Sequence, residues 1–277
     1  MVPDESSPVY VLGDRNREPR RLSLQHEYWG NFTLEVLRRA GVGPDMRVLD
    51  VGSGSGDVAM IAASLVGPGG EVIGVDRAAA SVERANARAA AAELANVEFV
   101  AAELGTFEPA GPFDAVIGRF SLMYLADPAA LLRRLAASLS TSGVLAFIEM
   151  DLEAARATPT VPLVHDTLER MRETLRRAGV AVDLGPRLWR VYRTIGISRT
   201  EILVDARAEP APATDAMELV AEMAISLLPM MERLGIARPG EFDDETLAVR
   251  LREALVERQA TLIPPNVVGT IGRTREP

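Results

Sequence analysis

The chain has 277 residues, 48% hydrophobic and 25% charged, with a formal charge of −9; it is long enough to bury a sizeable core, and its field repels phosphate backbones and anionic membrane surfaces, which disfavours nucleic acid and membrane as partners. There is no cysteine, and all thirty cationic side chains are arginine. The first absence removes disulfides, thiolate nucleophiles and cysteine-held metal; the second removes Schiff-base and phosphate-loop lysines, and with them pyridoxal-phosphate enzymes, P-loop nucleotidases and protein kinases.

Residues 1–16 are polar, with Pro3 and Pro8. From 20 to 40, Leu22, Leu24, Phe32, Val36 and Leu37 recur at helical spacing with Tyr28 or Trp29 on the same stripe, and Gly41-Val-Gly-Pro44 ends the helix. Residues 1–45 are read as an N-terminal helical cap. The first thirty residues show no apolar core flanked by a cleavage site, and no apolar run reaches membrane-spanning length, so a cytoplasmic protein is expected.

Between 47 and 150, short apolar runs at 48–51, 72–75, 97–100, 115–117 and 144–148 alternate with helical stretches at 58–65, 82–94 and 129–139. Continuous apolar strands separated by amphipathic helices predict a parallel sheet covered on both faces. Helices over 163–178 and 188–195 lead to a strand at 201–204 and a loop at 209–212. Two helical stretches follow, one aligning Leu219, Met223, Leu227, Met231 and Leu234, the other Leu247, Leu251 and Leu255. Pro229 should kink or split the first. A last strand is expected over 263–271, so residues 213–260 form a helical lid inserted late in a domain spanning 46–277. Its methionines at 217, 223, 230 and 231 favour core filling, with self-association into a homo-oligomer as the alternative use of an apolar insertion.

The chemistry is concentrated in residues 48–57, Val-Leu-Asp-Val-Gly-Ser-Gly-Ser-Gly-Asp, a strand running through Gly52, Gly54 and Gly56 into a helix. Glycines there permit a tight turn and let a ligand approach backbone N–H groups at a helix N-terminus. Asp50 ends this strand, Asp76 ends the next one twenty residues after Gly56, and Glu103 follows the third. An acid at the end of the second strand can accept both ribose hydroxyls of a bound nucleoside.

On these residues the chain resembles the class I S-adenosylmethionine-dependent methyltransferases of the bacterial small-molecule type, from about residue 10 onward and most specifically over 47–151. The pattern Asp-x-Gly-x-Gly-x-Gly at 50–56 matches that family's first motif, whereas a dinucleotide enzyme's Gly-x-Gly-x-x-Gly would need glycine where Asp57 stands. The resemblance implies a Rossmann-like α/β fold, a doubly wound, mostly parallel seven-stranded sheet with N-terminal helices and a helical insertion between the last two strands. S-adenosylmethionine would be the cofactor and S-adenosylhomocysteine its product. Gly52, Ser53 and Gly54 would pass the methionine part, Asp50 would close the same turn, and Asp76 would hold the ribose. Arg77, Ala102, Glu103 and Leu104 would bound the adenine. Arg119, in a stretch similar to the family's fourth strand and following helix (113–128), would reach the amino-acid end. The N-terminal segments Tyr10-Val-Leu-Gly-Asp and Arg21-Leu-x-Leu-Gln25 are similar to extensions that cover the cofactor, which nominates Tyr10 and Gln25 as contacts. Two patterns are missing. Gly118-Arg-Phe-Ser121 replaces the Asn/Asp-Pro-Pro-aromatic motif of amine-directed members, and Gly54 occupies the place of a serine-hydrolase nucleophile.

Methyl transfer from a sulfonium needs alignment and exclusion of water more than a dedicated catalytic group, although a hydroxyl or carbon-acid acceptor benefits from a base. His26 and His165, the two histidines of the chain, are the candidates, and Glu149 stands where such sheets present substrate groups. Tyr28, Trp29, Phe32, Phe120 and Tyr124, with the Met-bearing insertion, would line a small, fairly apolar acceptor, an O-, N- or C-nucleophile of the secondary-metabolite kind, the alternative being that the aromatics only pack the leading helix on the sheet. No metal is expected. Two other readings stay open: an NAD(P)-dependent oxidoreductase, and a protein that keeps the cofactor pocket without methyl transfer.

Overall fold

The computed structural model describes residues 18–213, 215–242 and 246–274. The chain opens with α1 (Glu18–Ala40), which Gly41 terminates at φ +85°. Five strands and three helices follow: β1 (Arg47–Val51), α2 (Asp57–Val66), β2 (Glu71–Asp76), α3 (Ala79–Ala91), β3 (Val97–Ala101), β4 (Phe113–Arg119), α4 (Pro128–Ala137) and β5 (Leu139–Asp151). Helix α4 starts where the side chain of Asp127 accepts the N–H of Ala130 and Pro128 takes the first turn, where its missing N–H costs nothing. The later elements are β6 (Arg156–Thr158), α5 (Pro162–Arg177), α6 (Leu184–Thr194), β7 (Thr200–Asp205), β8 (Glu209–Pro210), α7 (Asp215–Arg233), α8 (Leu247–Glu257), β9 (Thr261–Ile263) and β10 (Asn266–Arg273).

Seven strands form one sheet in the order β3-β2-β1-β4-β5-β10-β7, parallel except that β10 runs antiparallel to both its neighbours. The apolar runs of the sequence are its centre: Val48, Leu49, Ala115, Val116, Ile117, Leu145 and Phe147 are all solvent-excluded. Because β1 pairs with β2 on one side and β4 on the other, the strand order reverses there, and the crevice at the C-terminal ends of β1 and β4 is the topological switch point where open α/β sheets take ligands.

The late segments depart from expectation in two places. The strand expected over 263–271 is two strands, because Pro264 and Pro265 cannot donate to a ladder; β9 leaves for a small second sheet, β6-β9-β8, and β10 begins afresh at Asn266. The 209–212 loop contributes β8 to that sheet. Pro229 does not split α7, which stays one helix through Arg233. Its proline removes one helical hydrogen bond at a cost of about 3 kcal/mol, and burial of the apolar face on both sides of it offsets that: Met217, Met223, Met230 and Met231 are buried as α7 packs on α1, α5 and α8. The methionine stripe is therefore covered within the chain and is not a free surface for self-association. Among the described residues no helix is long and apolar enough to cross a membrane.

Candidate active site at the switch point

The glycine turn closes the crevice. Gly52, Gly54 and Gly56 have φ of +73°, +52° and +87°, in the left-handed region where a side chain is strained. At Gly52 space is equally decisive, since a Cβ there would lie 2.6 Å from Ser121 Cβ. At Gly56 it would lie 2.6 Å from the Phe99 ring. The backbone is thus pressed against the segment after β4 on one side and against β3 on the other.

Asp76 ties this turn to the next strands. Its Oδ2 accepts the N–H of Gly54 (3.0 Å) and its Oδ1 that of Ala78 (2.8 Å), while its carbonyl accepts the N–H of Ala102 (3.0 Å). Gly54, Asp76 and Ala102 are therefore brought together, as expected. The 102–107 loop is held further by Arg134, which donates to the carbonyls of Leu104 and Gly105. Arg77 and Glu103 stand exposed at its rim.

Beneath the turn lies a set of buried polar groups. Asp50 is fully buried, and neither carboxylate oxygen meets a hydrogen-bond donor with good geometry. Burial pushes its pKa up to about 7, against the pull of the Arg119 guanidinium. The hydroxyls of Ser53 and Ser121 are also buried without partners. Unsatisfied buried groups are costly, and here they cluster around a strained turn. Arg119 reaches from the end of β4 to Thr33 Oγ1 on α1 (2.9 Å), and that hydroxyl donates to the Trp29 carbonyl (2.9 Å).

Helix α1 lies over this arrangement. His26, partly exposed, turns Nδ1 toward Asp57 Oδ1 at 3.8 Å, beyond hydrogen-bond length, and Asp57 is paired with Arg88 at 2.7 Å. Gln25 is buried. Tyr10 lies outside the described residues. Trp29 is buried edge-on between Tyr28 (5.4 Å between centroids) and Phe120 (5.2 Å). Tyr28 turns away toward the insertion, donating its hydroxyl to Glu209 Oε1 at 2.6 Å beneath the Arg207 guanidinium. Tyr28 and Trp29 thus spend most of their surface on packing, whereas Phe120 and Tyr124 stay partly open beside the crevice.

The other nominated groups fall elsewhere. His165 is exposed on α5, whose main packing is on α7, β6 and α8, and nothing joins it to the glycine turn. Glu149 is fully buried, and its Oε1 accepts the N–H groups of Ser121 (3.1 Å) and Leu122 (2.8 Å). Its Oε1 is thus occupied with backbone, while its Oε2 is buried without a partner. Asp57, Arg88, Thr33 and Ser121 escaped the sequence reading as site residues. Asp57 carried a signal, being an acid at the first turn of the helix after the glycines; the other three only acquire their roles through contacts far apart in the chain. Among the described residues no group of three or more His, Asp or Glu side chains is arranged to hold a metal ion.

A seven-stranded sheet with β10 reversed, a glycine turn at the switch point and an acid closing β2 define the class I methyltransferase fold, the fold of enzymes that use S-adenosylmethionine. The chain belongs to the methyltransferase domain family, whose model matches residues 43–189, a little over half of its length. It is 32% identical over 126 residues, 45% of this chain and 49% of the relative, to the ubiquinone/menaquinone biosynthesis C-methyltransferase UbiE of Shewanella oneidensis. The chain spans at most about half the length of the curated relatives it matches. Among solved structures it shares its fold with the YcgJ protein of Bacillus subtilis (TM-score 0.58, 17% identity, 89% of this chain and 100% of that one). A phosphoethanolamine N-methyltransferase of Haemonchus contortus, solved with phosphomonomethylethanolamine and S-adenosylhomocysteine, is similar at TM-score 0.57 and 18% identity, over 89% of this chain and 53% of that one.

Proposed function

We propose that the chain transfers a methyl group from S-adenosylmethionine to a carbon of a small, apolar, hydroxylated ring compound of the quinone-precursor type. The observation that carries the donor assignment is the glycine turn at the switch point, closed by Asp76 and underlain by unpartnered buried polar groups. When bound, the donor supplies an electrophilic methyl on a sulfonium, whose sulfur keeps the bonding pair as the acceptor atom takes the methyl and gives up a proton. In this reading Asp76 accepts ribose hydroxyls, the Ala102–Leu104 backbone bounds the base, and Gly52, Ser53 and Arg119 receive the amino-acid end, with Asp50 offsetting its ammonium charge. Gln25 and α1 exclude water.

The acceptor reading draws on the similarity to the C-methyltransferases of quinone biosynthesis and on the apolar wall of Phe120 and Tyr124. A ring carbon becomes nucleophilic when its hydroxyl is deprotonated, so a base is useful. His26, on α1 beside Asp57 at the first turn of α2, is the candidate. His165 has no part in it. The test is methyl transfer from labelled donor across hydroxylated benzene and naphthalene acceptors, with amines as a parallel panel. Product methylated on ring carbon supports the proposal; methylation confined to amines or hydroxyls overturns the acceptor assignment, and no transfer to any acceptor despite donor binding overturns the activity.

A further inference from the structure

Glu149 has no role in the reading above, yet it is the carboxyl around which the segment after β4 is built. It sits near the end of the central strand β5, opposite Val268 of β10, with no exposed surface. Its Oε1 takes the N–H groups of Ser121 and Leu122. The residue before them, Phe120, has φ +55°, a strained value for an aromatic side chain, and donates its N–H to the carbonyl of Ile148 at 2.9 Å. Three successive N–H groups are therefore held by two successive residues of β5. What they fix is the wall of the crevice, because Ser121 stands against Gly52 and the Phe120 ring meets Trp29 of α1 edge-on.

We propose that Glu149 is a positioning residue that sets the Phe120–Ser121 wall relative to the glycine turn, and so the alignment of acceptor with donor. The proposal rests on the reading of this crevice as the transfer site. Its logic is geometric: a buried carboxyl oxygen can accept two N–H groups at once, and removing it leaves two buried donors unsatisfied while freeing a strained turn to relax. A shift of about 1 Å in a reactant's wall is enough to cost about 100-fold in rate. The donor's ribose and base are held from β2 and β3, which Glu149 does not touch.

The test uses the Trp189→Phe background, in which Trp29 is the remaining tryptophan and its emission reports the packing of Phe120. Glu149→Ala should shift that emission and lower kcat by about 100-fold, while S-adenosylhomocysteine affinity, which the ribose and base contacts sustain, falls by less than about tenfold. Glu149→Gln, whose amide oxygen can still accept both N–H groups, should recover emission and rate together. Background emission and turnover in folded Glu149→Ala would overturn the proposal, as would a Gln variant as impaired as the Ala variant. Should Glu149→Ala not fold, Glu149→Asp decides: one methylene short, it should move the emission, and an unchanged spectrum would count against the proposal. Emission and nucleoside affinity are read without any acceptor, so failure to methylate would overturn the functional reading alone.

Discussion

Gly52 and Ser121 are packed so closely that a single added carbon on the first would stand 2.6 Å from Cβ of the second. The contact joins the turn after β1 to the turn after β4, the two sides of the switch-point crevice. Gly52→Ala meets both this clash and the cost of a side chain at φ +73°, about 1–2 kcal/mol for the backbone alone. It should weaken S-adenosylhomocysteine binding at least about tenfold and lower Tm; a variant that binds normally in calorimetry would mean the turn has room to spare.

His26 and His165 should separate cleanly. His26→Ala removes the group beside Asp57 and is expected to lower kcat by about 100-fold or more without changing donor affinity, the range of general-base contributions. His165→Ala should leave turnover unchanged, since the side chain is exposed on α5. Steady-state kinetics with a ring acceptor checks both; equal losses in the two variants would contradict the placement.

Tyr28 links the N-terminal helix to the insertion. Its hydroxyl donates to Glu209 Oε1, and Glu209 Oε2 accepts the N–H of Ala216 at the start of α7. Burial and the neighbouring Glu209 carboxylate push the phenol far above its usual range, so it remains a donor at all working pH values. Tyr28→Phe should cost about 1 kcal/mol of stability, readable as a lower urea midpoint. An unchanged midpoint would show that this link contributes nothing net.

The buried carboxyls dictate a pH dependence. Burial raises Asp50 to about 7 and Glu149 to about 8, both above the roughly 4 of an unfolded carboxyl. Between these limits the native chain holds more protons than the unfolded one, so stability falls as pH rises. The contribution is fully present below about pH 4 and lost as pH passes 7 to 8. Urea midpoints should therefore be higher at pH 6 than at pH 8.5, and Glu149→Gln should reduce the difference; an identical difference in the variant would refute this origin.

The βαβ core and the glycine turn were legible because their signals are local. Apolar runs of strand length and three glycines in one turn follow from what the backbone requires at that point in the chain, and the acid twenty residues on closes that turn through the N–H of Gly54. The acceptor side was not legible for the opposite reason. Glu149 looked like a substrate group from its strand position alone, and only the fold shows it spent on the N–H groups of Ser121 and Leu122. Tyr28 and Trp29 read equally as lid or as packing aromatics, and their contacts run to Glu209, Arg207 and Phe120. The small sheet of β6, β8 and β9 escaped because strands of two or three residues carry no periodicity, and the break at Pro264-Pro265 was passed over in favour of the apolar run on either side.

Calorimetric titration of the wild-type chain and of Asp76→Ala with S-adenosylhomocysteine bears most directly on the crevice as an adenosyl-sulfonium site. The wild type should bind in the micromolar range, and the variant, having lost a carboxylate that can accept charged hydrogen bonds worth about 1.5–3 kcal/mol each, should bind at least about tenfold more weakly while still folded. A folded wild-type chain that releases no heat with this nucleoside, or a variant that binds it equally well, would contradict the account.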